Sequence, residues 1–142
     1  MLVTREMDYA IRAVRVLHRN GQLSAPEIAR RENIQQGVTY KMLKKLSKAG
    51  IVESRRGAEG GYLLSRPCSE LTLWDLFHAL GEDLLLTECL QSDYLCENNP
   101  DGCCGVHREF CRIQCRLEEE LKQKTLEKLI RPAGNCGADQ IK

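Results

Sequence analysis

Long apolar runs are missing from the sequence; its aliphatic stretches are as short as Leu84-Leu85-Leu86. A membrane-spanning helix needs roughly 20 apolar residues, so none is expected. Met1 to Asp8 is charged within a few residues and holds no apolar stretch of the secretory kind, so a cytoplasmic location is expected. Aromatic residues make up only 5% of the chain, which predicts an aliphatic core of modest size. No catalytic acid–base pair, glycine-rich nucleotide loop or flavin motif stands out, so an enzyme is not expected. A large net charge is missing too, at +1, but that value hides a division.

Residues 1–66 hold 13 Lys/Arg against 6 Asp/Glu, a net of +7, and residues 67–142 hold 8 against 14, a net of −6. The basic half suits a polyanion. The acidic half carries all of the chain's eight cysteines, at 68, 89, 96, 103, 104, 111, 115 and 136. In a secreted protein such a count reads as a disulfide framework; in a reducing cytosol it points to metal or redox chemistry. With 142 residues, 42% hydrophobic and 29% charged, the chain suits one compact domain, or a small domain with an oligomerisation element.

The basic half has the order of a winged helix-turn-helix. Thr4 is placed to cap a first helix to about Arg19, with Met7, Ala10, Ile11, Val14 and Leu17 as its apolar stripe. Ser24 and Glu27 form a capping box for a short second helix ending near Arg31, with Leu23 and Ile28 as a hydrophobic staple. A tight connection leads to a third helix, about Gln36 to Ala49, closed by Gly50. Its packed side is read as Val38, Met42, Leu46 and Ala49, flanked by Leu43. Its other side carries Gly37, Tyr40, Lys41, Lys44 and Lys48, with Lys45 at the edge. Lysines alone suggest only a solvated face. The segment after them, Ile51 to Arg55, a glycine-rich turn, then Tyr62-Leu63-Leu64, makes a β-hairpin wing and turns the balance to DNA. Gln36, Gly37, Thr39 and Tyr40 are the expected base readers, although Thr39 leans toward the packed side. Lys41, Lys44 and Lys45 are expected on phosphates, and Arg55 or Arg56 in a minor groove.

In the acidic half, Thr72 and Asp75 form a second capping box, with Leu71 and Leu76 as its staple and Gly81 as its stop. Periodicity disappears from Thr87 to Gly105 and returns from about Val106, where Phe110, Ile113, Leu117 and Leu121 make an apolar seam. Thr125 starts a last short helix. The seam is expected to pair with the same helix of a second chain, giving a homodimer that reads a palindromic double-stranded operator. The fold class expected is mainly α: a winged helix-turn-helix with a small hairpin wing and a long C-terminal dimerisation helix. Its divisions are 1–66 for DNA binding, 67–86 for a connecting helix and 87–106 for a cysteine loop. Residues 107–130 form the dimerisation and terminal helices, and 131–142 a flexible tail.

The loop presents Cys89, a gap of six residues, Cys96, another gap of six, then Cys103-Cys104 and His107. Thiolates and histidine ligate iron–sulfur clusters. They ligate structural zinc equally well, and plain thiol redox sensing also fits. Cys111 and Cys115, four apart, are read as small residues in the dimer seam, with extra thiols near a cluster or a redox pair as the alternatives, and Cys68 and Cys136 as structural or incidental.

Four stretches carry a resemblance covering residues 1 to about 130: Thr4…Asp8-Tyr9-Ala10, Leu46 to Val52, Arg56-Gly57…Gly60-Gly61-Tyr62-Leu63-Leu64, and Cys89…Cys96…Cys104-Gly105-Val106-His107. The sequence resembles the winged-helix regulators that include the iron–sulfur cluster regulator and the nitric-oxide-sensitive repressor. The resemblance implies a homodimeric transcription factor whose cluster state, altered by oxygen, nitric oxide or iron supply, sets its DNA affinity. In the first type three cysteines and a histidine hold a 2Fe–2S cluster, which maps onto Cys89, Cys96, Cys104 and His107 and is favoured here. In the second type an aspartate matching Asp8 of the partner subunit completes a 4Fe–4S site. The gaps in this loop are slightly longer than the pattern, and the doubled cysteine leaves Cys103 as an alternative third ligand. Structural zinc, a cluster-free regulator and an iron–sulfur electron-transfer subunit remain as alternatives.

Overall fold

The computed structural model describes residues 3–57, 60–81, 84–96 and 104–130. Among them the order is α1 (Arg5–Asn20), α2 (Ala25–Glu32), α3 (Gln36–Lys48), β1 (Val52–Arg55), β2 (Gly61–Leu64), α4 (Leu73–Leu80), a 3-10 turn (Glu88–Leu90), α5 (Gly105–Gln123) and α6 (Leu126–Ile130). Cys103, Cys136 and the tail 131–142 lie outside the described residues.

The local signals act where the sequence places them. Met7 N–H donates to Thr4 Oγ1 at 3.2 Å and starts α1. Ser24 N–H donates to Glu27 Oε2 at 3.0 Å, and Glu27 N–H to Ser24 Oγ at 3.4 Å, so the box of α2 closes in both directions. Those bonds from Ser24, the backbone one foremost, hold the Glu27 carboxyl below its usual pKa. Asn33, left-handed at φ 51, ends α2 and turns the chain into α3. At the end of α3, Gly50 N–H donates to the Ser47 carbonyl and Ile51 N–H to the Leu46 carbonyl, closing the helix.

The wing is a two-stranded antiparallel hairpin in which Val52 pairs with Leu64 and Arg55 with Gly61. A third segment anchors it. Leu23 and Tyr62 exchange backbone hydrogen bonds of 3.0 and 2.7 Å, tying the wing to the entrance of α2. A Cβ at Gly61 would sit 2.7 Å from the Leu23 carbonyl oxygen, so this approach requires glycine.

One buried cluster runs from Met7, Val14 and Leu17 through Ile28, Met42, Leu43 and Leu46 to Leu71, Leu76, Phe77, Leu126 and Ile130. Each such side chain contributes roughly 1.5–3 kcal/mol by leaving water. α4 packs on both α1 and α3. α6 folds back on the start of α4, where Leu126 N–H donates to the Leu71 carbonyl at 2.7 Å and Glu127 N–H to the Cys68 carbonyl at 2.9 Å. Trp74 of α4 is edge-on to His78, and the Lys122 ammonium of α5 lies 4.3 Å from the centre of its indole.

Three expectations are corrected. Val38 is half-buried and Ala49 exposed; Thr39, Met42, Leu43 and Leu46 form the buried side of α3. Residues 87–105 are not wholly without structure, because the turn at Glu88–Leu90 packs against α5. The seam of α5 divides: Leu117 and Leu121 pack on the chain's own core, and Val106 and Ile113 stay exposed.

Candidate nucleic-acid interface and thiol site

α3 buries one side and presents the other. Gln36, Gly37, Tyr40, Lys41, Lys44, Lys45 and Lys48 are exposed, as are Arg55 and Arg56 on the wing. Thr39 is not among them. It is fully buried and its hydroxyl donates to the Gln35 carbonyl at 3.2 Å, so it has no route to a base edge. The end of α2 is tied to α1: Arg12 donates to the Glu32 carbonyl at 3.1 Å, and Arg15 pairs with the Glu32 carboxylate at 2.7 Å. Two of the cations placed for DNA have acidic neighbours. Lys45 meets Glu6 at 2.8 Å and Arg55 meets Glu53 at 3.1 Å. A phosphate must displace those carboxylates before it gains those charges.

The acidic half collects thiols at the start of α5. Cys104 is the N-cap of that helix, its Sγ accepting from His107 N–H at 3.4 Å. His107 then reaches forward, with Nε2 3.3 Å from Cys111 Sγ. The described cysteines at 68, 89, 96, 104, 111 and 115 are free thiols. Cys89 and Cys96 are half-buried, and Cys89 sits on the turn that lies against α5. Cys68 differs: burial first, then the nearby Glu127 carboxylate, push its thiol up to about 11, so it is a core residue.

The donor chemistry of Cys89, Cys96, Cys104 and His107 suits iron: soft thiolates with one imidazole, the third thiol held at a helix start. Among the described residues no three His, Cys, Asp or Glu are gathered closely enough to hold a metal ion. Asp8 is exposed on α1 and pairs at 2.7 Å with Arg12 of its own chain.

One residue of this region is invisible to pattern reading, and two others stand elsewhere than expected. Gln114, 7% exposed, accepts from Leu86 N–H at 3.1 Å and donates to the Leu84 carbonyl at 2.6 Å. It clamps the entry of the cysteine loop to α5. Cys111 and Cys115 lie away from the apolar seam: Cys111 faces His107 and Cys115 is exposed. The signal for Cys111 was the spacing of four from His107, which stacks two side chains on one helical face.

Against this geometry, the profile of Rrf2, described as an iron-dependent transcriptional regulator, matches residues 3–132. The chain belongs to the Rrf2 family. It is thus a DNA-binding transcriptional regulator and not an enzyme, which removes the electron-transfer alternative. Protein aau3 of Rhizobium meliloti is 30% identical over 133 residues, covering 92% of this chain and 86% of that one. The HTH-type transcriptional regulator IscR of Photorhabdus laumondii is 29% identical over 138 residues, covering 92% and 79%. The structure of CymR, described as the global cysteine regulator of B. subtilis, superposes with a TM-score of 0.70 at 24% identity, covering 90% and 95%. That superposition confirms the mainly helical winged-helix fold with its hairpin and long C-terminal helix. No described helix of this Rrf2 protein is long and apolar enough to cross a membrane.

Proposed function

We propose that this Rrf2 protein is a cytoplasmic homodimer that binds a palindromic operator with an affinity set by an iron–sulfur cluster. Cys89, Cys96, Cys104 and His107 would hold it as a 2Fe–2S cluster; Cys103 and Asp8 of the partner subunit are alternative donors, the latter for a 4Fe–4S form. The observation that carries the reading is Cys104 as N-cap of α5 with His107 one turn on. A sulfur and an imidazole one turn apart on a helix would offer two donors on a rigid element, which supports the reading. When bound, the cluster supplies a cross-link between loop and helix that oxygen, nitric oxide or iron shortage removes.

The chain's own residues carry that link to DNA. Closing of Cys89 and Cys96 toward the start of α5 orders the loop whose entry Gln114 already holds. α5 packs on α4, and α4 on α3, so the loop is in mechanical contact with the reading helix. Gln36, Gly37 and Tyr40 would read bases, and Lys41, Lys44, Lys45, Arg55 and Arg56 would hold the backbone and minor groove. A coupling of about 1–3 kcal/mol changes affinity roughly 5–150-fold, enough for a switch. Exposed Val106 and Ile113 on the first turns of α5 are available to a second copy.

The test is anaerobic purification with iron and sulfide analysis, absorbance and Mössbauer spectra, then operator titration before and after reconstitution. A brown protein whose affinity changes on reconstitution supports the reading; a colourless one with indifferent affinity refutes it. A second reading is a cluster-free thiol or partner-protein sensor. It draws on the absence of a gathered metal site among the described residues and on the CymR-like fold. Under it, alanine at Cys89 or Cys96 leaves regulation intact. Zinc without colour would instead mark a structural metal.

A further inference from the structure

Cys111 stands outside the ligand pattern of the resemblance, yet it is the side chain that touches His107. Its Sγ lies 3.3 Å from Nε2. Cys104, His107, Cys111 and Cys115 follow one another at intervals of three, four and four, so they form one stripe along α5. Val106, Phe110, Ile113 and Leu117 keep to a different stripe. Cys111 is half-buried and unbridged. Two donors in contact with each other reach the same point in space, so a metal within reach of one is within reach of the other. Iron–sulfur iron accepts thiolate at least as readily as imidazole.

We propose that Cys111 is an alternative donor for the coordination position assigned to His107. The chain is thereby equipped to hold its cluster with three thiolates and an imidazole or with four thiolates. Replacing an imidazole ligand by thiolate lowers the reduction potential of a cluster, so the two forms differ measurably. The inference rests on the cluster reading above.

The experiment uses the full chain, isolated anaerobically as wild type, His107→Ala, His107→Asn, Cys111→Ala and the double variant His107→Ala/Cys111→Ala. Iron and sulfide content, nitrogen hyperfine coupling in the reduced state and midpoint potential are measured, with circular dichroism as the check on folding. The single His107 variants are expected to keep their iron and sulfide, lack imidazole coupling and titrate at a lower potential than Cys111→Ala. The double variant is expected to lose most of its iron while keeping its helical signal. Loss of the cluster in both folded His107 variants while the wild type is loaded overturns the inference. So does full iron in the double variant, the result to be expected if Asp8 of the partner subunit fills the position. A wild type without iron and sulfide defeats the cluster reading itself, and the inference with it.

Discussion

Replacing Lys44 by alanine tests whether the exposed lysines of α3 hold phosphates. Lys44 is exposed on the side of α3 opposite the buried Leu43 and Leu46. A lysine that neutralises one phosphate contributes about 0.9 to the slope of log affinity against log salt. A two-fold complex uses Lys44 twice, so Lys44→Ala should flatten the slope by about 1.8. Between about 50 and 200 mM salt that difference amounts to about tenfold, so the variant's deficit should shrink by that factor as salt rises. Fluorescence anisotropy with an operator and a scrambled duplex over a salt series reads both quantities, and both duplexes should lose alike. An unchanged slope with altered preference between duplexes would refute the assignment and make Lys44 a base reader. Lys45 gives a contrast, because it begins in a 2.8 Å pair with Glu6. An exposed pair of this kind is worth about 0–1 kcal/mol, so Glu6→Gln should tighten binding by no more than about fivefold per protomer.

Three further outcomes follow from packing and titration. Gly61→Ala should cost about 1–3 kcal/mol in urea unfolding, since the new methyl would meet the Leu23 carbonyl at 2.7 Å; unchanged stability would mean the wing is not pinned there. For Asp75, burial alone would raise the carboxyl, but the Thr72 hydroxyl and amide and the Arg66 guanidinium outweigh it and hold it below its usual value. A depressed carboxyl stabilises above its unfolded pKa and loses that contribution as pH falls through the folded one. Asp75→Asn should therefore cost about 1 kcal/mol at neutral pH, with the gap to wild type narrowing in acid; a gap that widens in acid would contradict it. Cys68, with its thiol pushed up to about 11, should resist iodoacetamide at pH 8 until the chain unfolds, and rapid native labelling would show that the site is open.

The sequence disclosed what is decided within a few residues. Both capping boxes, Ser24 with Glu27 and Thr72 with Asp75, are three-residue events, and the apolar stripe of α1 repeats at helical spacing. What depends on distant chain was hidden. Thr39, expected among the base readers despite its lean toward the packed side, is buried by α3's packing on the rest of the core. Gln114 interrupts an apolar seam for a reason that lies 28 and 30 residues back, at Leu86 and Leu84. The Leu23–Tyr62 bridge and the return of Leu126 to Leu71 are likewise set by tertiary packing. Cys111 falls between these cases: its interval from His107 was on view, but only the contact reveals that the two side chains meet.

The buried cluster that spans Met7 to Ile130 bears on how this protein can be cut. α4 covers flanks of α1 and α3, and α6 in turn rests on the start of α4. A fragment stopping at residue 66 would lay those greasy flanks open to water and stick to its own copies. The DNA reader is therefore not a detachable cassette: the helices that follow it are the cover that keeps it dry.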